Sequence, residues 1–226
     1  MTALATLALA ATAVASPVEI TWPVAGPDDT SALAAAAYSG WYAAADTFDD
    51  SVEIRDIRAA LRFTIARPQI AALLPWMSLD GGPDGPNAVA LTATGRVLYI
   101  LVTDSDLAGD GLGSDAVLRF DIPSGLLSVF ARLDAFDRGD AWPHLAMVHQ
   151  KGRLFVGTVG AGIKVYDATR NSVTGALQTT IALPGGTSVR GLTVDRDLNN
   201  LYIGSDSGIW RTSLNSFPTT SLTSIV

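Results

Sequence analysis

The chain of 226 residues contains no cysteine, which excludes disulfides and thiolate metal sites and leaves the redox compartment unidentified. Cationic side chains are also few: 15 lysines and arginines face 22 carboxylates, giving a formal net charge of −7. Nonspecific binding to nucleic acid or to an anionic membrane needs a cationic surface, so this balance argues against both. The expected partner is a small molecule or a protein or peptide ligand, neutral or cationic.

The sequence lacks an apolar run of the roughly 20 residues that a membrane-spanning helix needs. A shorter run over residues 1–15 (MTALATLALAATAVA) ends in small residues, as a secretory signal peptide does, although no Lys or Arg precedes Arg55. An alanine-rich N-terminal helix is the alternative. The pattern predicts a secreted or periplasmic protein with an extended lead-in over residues 16–30.

One short pattern recurs four times: an apolar strand, a turn, and a second strand that usually ends in aspartate. Its clearest copy is residues 152–167 (GRLFVGTVGAGIKVYD). The second strands read SVEIRDI from Ser51, AVLRFDI from Ala116, GIKVYDA from Gly162 and GIWRTSL from Gly208. Val117, Ile163 and Ile209 occupy matching places and are separated by 46 residues each time. A fixed period predicts a repeat architecture.

Each repeat has room for four short strands, and four antiparallel strands in 40 to 50 residues are typical of a β-propeller blade. A β-sandwich is the competing all-β fold, but it does not predict equal intervals. We therefore expect an all-β protein with four four-stranded blades. Their approximate bounds are 31–66, 86–134, 143–183 and 189–226. Because no later strand completes the first blade, we expect the four to belong to a ring of six to eight blades, a closed four-bladed ring being the alternative.

Two segments resemble known propeller families. GPNAVALTATGRVLYI, from Gly85, is similar to the blade opening of NHL-repeat and gluconolactonase-like propellers. RGLTVDRDLNNLYIGSDSGIW, from Arg190, resembles a blade of β-propeller phytases. The first resemblance implies that Asn87 corresponds to a metal-binding asparagine. Blade patterns are shared by many unrelated functions, so they indicate the fold and not the reaction.

Polar residues precede three of the four predicted innermost strands: Asn87, His144 and Arg190. In propellers this position lies at the mouth of the central channel, so we expect these side chains to form a ligand site. Arg190 suits a carboxylate or phosphate and would repel a divalent cation. The alternative is that the three residues cap strands and line a solvated channel.

A second candidate site is the acidic loop DSDLAGDGLGSD at residues 104–115. Asp104, Asp106, Asp110 and Asp115 supply the oxygen ligands that Ca²⁺ prefers, and the loop matches part of a known Ca²⁺-loop pattern. The composition predicts a structural Ca²⁺ site. A solvated acidic hairpin loop is the alternative.

The remaining chemistry-bearing side chains are interpreted as structural. His144 and His149 flank one strand at an odd offset, which turns them to opposite faces and disfavours a shared metal site. The tryptophans at positions 76, 142 and 210 are expected to pack between blades, with Trp41 in the core.

These features together favour a binding or interaction scaffold with a ligand site at the channel mouth. The alternative is a metal-dependent hydrolase of lactonase or phytase type, in which a cation would polarise a carbonyl or phosphoryl oxygen. Such an enzyme needs three or more carboxylate or amide ligands at the mouth. The blade openings offer one asparagine, one histidine and one arginine, so the scaffold is the preferred hypothesis.

Overall fold

The structure is a computed structural model with full side chains. It describes residues 30–36, 40–46, 49–56, 58, 60–77, 79, 84–104, 115–133, 146–158, 162–195, 197, 199–217 and 221–225. The predicted signal peptide over residues 1–15 lies outside this part of the chain, and so does the lead-in except for its last residue, Thr30.

The described residues form four antiparallel sheets, each of four strands paired in sequence order. We call these sheets blades 1 to 4. Blade 1 contains β1 Thr30–Ala36, β2 Trp41–Asp46, β3 Ser51–Asp56 and β4 Leu61–Ile65. Blade 2 contains β5 Gly85–Leu91, β6 Val97–Thr103, β7 Ala116–Asp121 and β8 Leu126–Arg132. Blade 3 contains β9 Met147–Gln150, β10 Arg153–Thr158, β11 Gly162–Asp167 and β12 Leu177–Ile181. Blade 4 contains β13 Val189–Val194, β14 Asn200–Ser205, β15 Gly208–Ser213 and β16 Thr223–Ser224. The prediction of an all-β fold with four four-stranded blades is confirmed.

The turn at Lys151 and Gly152 joins β9 to β10 and shows why this hairpin forms. Both residues have positive φ, 50° for Lys151 and 70° for Gly152. Two successive residues of positive φ make the tight turn whose twist matches that of the flanking strands. Glycine adopts this backbone without steric cost, and the turn thereby fixes the register of the pair.

The aspartate that closes the third strand of a blade has a structural role. The carboxylate of Asp56 accepts hydrogen bonds from the backbone N–H groups of Arg58 and Ala60, at 2.9 and 3.1 Å. Asp121 and Asp167 hold the following turns in the same way. In blade 4 the matching residue is Ser213, whose Oγ accepts from the backbone of Asn215. The repeated aspartate is therefore a turn cap, since its short side chain satisfies nearby backbone donors.

The first strands of the blades lie side by side, β1 beside β5, β5 beside β9, and β9 beside β13. Apolar clusters fill the spaces between successive blades. One cluster joins Ile54 of blade 1 to Leu98 of blade 2, and another joins Tyr99 of blade 2 to Leu154 of blade 3. Neighbouring residues of a strand thus serve opposite clusters, as strand alternation requires. We call the face that a blade turns toward the next blade along the chain its forward face, and the other its backward face.

The third cluster joins the forward face of blade 3 to the backward face of blade 4. It contains Phe155 and Ile163 from blade 3, and Leu201 and Ile203 from blade 4. Trp210 packs against this cluster and donates its indole N–H to Ser205 Oγ at 3.2 Å. Each fully buried aliphatic or aromatic side chain stabilises the fold by about 1.5–3 kcal/mol. These clusters therefore make the blade boundaries the main core of the protein.

One helix, α1 Arg67–Leu73, follows blade 1 at a place where the sequence shows only an apolar insertion. Its first turn is closed by Gln69, whose Oε1 accepts the backbone N–H of Ala66 at 2.9 Å. Ile70 and Leu74 are buried against the cluster between blades 1 and 2. Burial of these apolar side chains against the cluster stabilises the short helix.

The tryptophans at positions 41, 76 and 210 pack against the core clusters. The guanidinium of Arg132 lies 4.8 Å from the ring centre of Trp76. Trp142 lies outside the described residues. A helix with the length and apolarity required to cross a bilayer is not found in the part of the chain that the structure describes.

Candidate functional site

Among the residues that the structure describes, the first strands of blades 1, 2 and 4 carry a bulge near their start. The pairing register with the second strand shifts there by one residue. The extra residue is Ser31 in β1, Asn87 in β5 and Arg190 in β13. We call the end of the blades where these residues lie the bulge end. Bulges redirect a side chain and are frequent beside functional sites, so two of the predicted ligand residues share one structural position.

Asn87 is half-buried and is fixed to the neighbouring strand. Its Nδ2 donates a hydrogen bond to Oγ1 of Thr103, which is fully buried at the end of β6. The amide is therefore oriented by the strand beneath it, a requirement for a precise polar contact with a ligand.

Arg190 is exposed and forms a two-point ion pair with Asp206 in the β14–β15 hairpin. Nε and Nη2 donate to Oδ1 and Oδ2 at 2.5 and 3.2 Å. The hydrogen bonds from Arg190 lower the pKa of Asp206 below its usual range. The carboxylate of Asp206 therefore stays charged near neutral pH, and the planar pair gives the site fixed donors and acceptors.

His144, the third predicted ligand residue, lies outside the described residues. Its blade can be aligned with the others through Ala146, whose carbonyl accepts the N–H of Gly157 at 2.8 Å. Ala88 and Gly191 occupy the matching places in blades 2 and 4.

Asp104 and Asp115 lie at the two ends of the predicted Ca²⁺ loop, and both are buried. The backbone N–H of Asp104 donates to Oδ1 of Asp115 at 3.1 Å, and the carbonyl of Asp115 accepts from Leu133 at 2.8 Å. These contacts close the base of the loop. Asp106 and Asp110 lie outside the described residues, and within the described ranges no group of three or more His, Cys, Asp or Glu could hold a metal ion.

Carboxylates predominate at the bulge end. The described aspartates there are Asp46, Asp49, Asp50, Asp84, Asp104, Asp115 and Asp206. The described cationic residues there are Arg67, Arg132 and Arg190. The opposite end is balanced, with aspartates 56, 121, 167, 195 and 197 beside six cationic residues, Arg58, Arg62, Arg96, Lys151, Arg153 and Arg170. The negative charge of the described residues is thus concentrated at one end.

Two acidic residues of the bulge end escaped sequence reasoning. Asp50 is fully buried at positive φ in the β2–β3 hairpin, and Oδ2 forms an ion pair with Nε of Arg67 at 3.3 Å. Asp206 sits in the matching hairpin of blade 4. Both residues lie between the second and third strands of a blade. This shared position can be recognised in the sequence only when the hairpins of the blades are aligned.

His149 belongs to the boundary between blades 2 and 3 and not to the bulge end. Its ring stacks on that of Tyr99, with centres 5.7 Å apart, and Nε2 lies 3.2 Å from the carbonyl oxygen of Ala168. Burial lowers the pKa of His149, so the imidazole is neutral at physiological pH. Its role is packing.

No protein-family model and no curated protein matches the chain. Among solved structures, a nidogen/laminin complex is similar at 15% identity and a TM-score of 0.54, over 85% of this chain and 64% of that one. The structure of U3-55K is similar at 13% identity and a TM-score of 0.55, over 88% of this chain and 53% of that one. A Kuenenia stuttgartiensis hydrazine synthase gives 15% identity and a TM-score of 0.49, over 91% and 53%.

The first two likenesses show the β-propeller fold. The chain spans between half and two thirds of the length of these structures. The resemblance to NHL-repeat, gluconolactonase-like and phytase propellers stays a prediction.

Proposed function

We propose that the chain is a binding scaffold whose bulge end takes a cationic segment of a protein or peptide ligand. The observation that supports this is the excess of carboxylates at the bulge end beside a charge-balanced opposite end. Four of these carboxylates are buried and three arginines lie among them, so the attraction comes from the net negative charge of this end, which favours oppositely charged ligands and accelerates their association.

The exposed groups of the bulge end suit such a ligand. Asp49 and Asp206 offer carboxylates to solvent, and Asn87 offers an amide held by its strand. Arg190 fixes the orientation of Asp206 through two hydrogen bonds. The nidogen/laminin structure is a complex of two proteins, and this likeness in fold adds support for a protein ligand.

The test measures binding of two fluorescent peptides, one rich in lysine and arginine and one acidic peptide of equal length. We expect the cationic peptide to bind and the acidic one not to bind, with affinity falling as salt rises. Replacing Asp49 and Asp206 by asparagine should weaken binding by about two- to fivefold for each carboxylate, the usual range for exposed ion pairs.

The matched control is Asp197→Asn, since Asp197 is exposed at the opposite end. It removes the same charge and should leave the affinity unchanged. Equal losses from both sets of variants would mean that net charge, and not the bulge end, attracts the peptide. Hydrolysis of a lactone or a phosphate ester by the unmodified protein would instead favour the hydrolase hypothesis.

We also propose that the loop closed by Asp104 and Asp115 holds Ca²⁺, with Asp106 and Asp110 completing the oxygen ligands. The proposal rests on the loop composition and on the fixed base of the loop. Millimolar Ca²⁺ should raise the Tm by stabilising the folded state, whereas Mg²⁺ should not. Asp106→Asn with Asp110→Asn should abolish this rise. Calorimetry that shows no heat, with an unchanged Tm, would contradict the proposal.

A further inference from the structure

The forward face of blade 4 has the composition of a blade boundary. Tyr202 and Ile209 belong to it because they lie one residue from Leu201, Ile203 and Trp210, which turn backward onto blade 3. Ile225 joins them, since its N–H donates to the carbonyl of Ile209. Ile209 and Ile225 are 45% and 47% exposed. An exposed apolar patch of this kind marks an interaction surface.

The same three places in blade 3 are covered by the next blade. Hairpin registers align Phe155 with Tyr202 and Ile163 with Ile209, and Ile181, the partner of Ile163, aligns with Ile225. All three blade 3 residues are buried in the cluster that blade 4 completes. The forward face of blade 4 therefore repeats the apolar side-chain types that another sheet buries one blade earlier.

A glycine notch repeats as well. A Cβ at Gly157 would lie 2.8 Å from Cβ of Val189, so the first strand of blade 4 fills the space above this glycine. Gly204 is the matching residue of blade 4, and a Cβ there would meet only backbone atoms of Gly191, at 3.8 Å. Gly191 and Gly204 thus form a notch with room for a side chain of the size of valine.

Blade 1 does not offer a matching surface for this face. Its backward face presents an ion pair between Glu53 and Arg55 at 2.8 Å, and its residues Tyr42 and Ala44 are already buried. Among the strands that the structure describes, β13 and β1 share no extensive contact. Closure of blade 4 onto blade 1, or onto blade 1 of a second copy, is thereby disfavoured.

We propose that the forward face of blade 4 docks a further propeller blade. This blade is a four-stranded sheet with an apolar backward face, and its first strand places an aliphatic side chain in the notch of Gly191 and Gly204, as Val189 lies over Gly157. Arg211 projects from the same face at the place that buried Arg119 has in blade 2. Because Ser213 replaces the aspartate with which Arg119 pairs, the docking blade carries an acceptor for Arg211.

The test adds a blade whose backward face already packs on the forward face of blade 3. Residues 184–226 are repeated at the C-terminus of the full chain. The absence of native cysteine allows a single probe, Ile209→Cys in the original blade 4. The added blade should raise the Tm and slow maleimide labelling of this cysteine at least about tenfold, since a buried thiol is inert. Ser207→Cys, exposed on the adjoining hairpin, should label equally fast with and without the added blade.

Gly204→Leu in the original blade 4 separates docking from folding. It should leave the Tm of the unextended chain unchanged, because open space surrounds Gly204, and it should abolish both effects of the added blade. Fast labelling at position 209 in the extended chain, or protection that survives Gly204→Leu, would overturn the proposal. Concentration-dependent self-association of the unextended chain that Gly204→Leu abolishes would also overturn it, by assigning the face to a second copy.

Discussion

Blade 2 and blade 4 have the same four strands in the same order, but their surroundings differ. Every residue of β6 in blade 2 is buried, whereas β14 in blade 4 alternates between buried and partly exposed residues. A strand buried at every position is covered on both faces of its sheet, and an alternating strand is covered on one face. The difference shows that the core of this protein is built at blade boundaries and not within a blade.

The sequences of the two strands already differ in this sense. β6 reads VLYILVT, an unbroken apolar run, and β14 reads NLYIGS, in which Leu201 and Ile203 alternate with partly exposed residues. Apolar runs are typical of strands between two layers. Composition alone does not separate the two cases, since β10 of blade 3 reads RLFVGT, resembles β14, and is nevertheless almost completely buried between its neighbours.

The largest expected effect comes from truncating an aromatic side chain on the two forward faces. Phe155 is buried and meets Phe217 edge to face at 6.4 Å, so Phe155→Ala should lower the free energy of unfolding by about 3–5 kcal/mol. Tyr202 is partly exposed at the matching place, and Tyr202→Ala should cost less than about 1 kcal/mol. Urea denaturation with an unchanged m-value measures both. Equal losses in the free energy of unfolding would show that the two forward faces are equally covered, and would contradict the difference between blades 3 and 4.

Gly157 and Gly204 allow the two forward faces to be compared by adding a methyl group instead of removing a side chain. Gly157→Ala forces a Cβ against Val189 and should cost about 1–3 kcal/mol, the usual range for overpacking. Gly204→Ala meets open space and should be neutral or slightly stabilising, because alanine reduces the entropy of the unfolded chain.

Thermal melting of the two glycine variants supplies the comparison. Val189→Ala, combined with Gly157→Ala, should recover part of the loss, since it removes the methyl groups in the way. A neutral Gly157→Ala would place Val189 elsewhere in solution.

The hairpins were predictable because their signals are local. The strands predicted to begin at Ser51, Ala116, Gly162 and Gly208 are found at those residues. Helix α1 was not predicted because it has only seven residues, and its apolar side is stabilised by packing against the cluster between blades 1 and 2. Short segments of this kind are decided by tertiary contacts and not by propensity.

The candidate site was predictable only in part. Asn87 and Arg190 occupy matching bulges. A bulge depends on the pairing of two strands and is not recognisable from the alternation of apolar and polar residues within one strand. The concentration of carboxylates at the bulge end was equally hidden, because Asp49 and Asp206 belong to hairpins far apart in the sequence. Arg190, predicted as a ligand for an anion, is found paired with Asp206.

The smallest expected effect concerns the interior boundary between blades 2 and 3, where His149 takes the place that Val194 has in blade 4. Burial lowers the pKa of His149 below its ordinary value, so the unfolded chain takes up a proton first as the pH falls. This histidine therefore lowers stability below about pH 6.5 and has no such effect at higher pH.

Three aspartates, Asp56, Asp121 and Asp206, have lowered pKa values and stabilise the fold wherever they are ionised. Their contribution is lost only below about pH 4, outside the range in which His149 titrates.

Melting curves of the native chain and of His149→Gln between pH 8 and pH 5 isolate this contribution. The native chain should lose stability relative to the variant as the pH falls, by at most about 1.4 kcal/mol for each pH unit. His144 is the other histidine, and His144→Gln serves as the matched control. If His149→Gln keeps the full pH dependence of the native chain, the imidazole must reach solvent, and the boundary between blades 2 and 3 would then be as open as the forward face of blade 4.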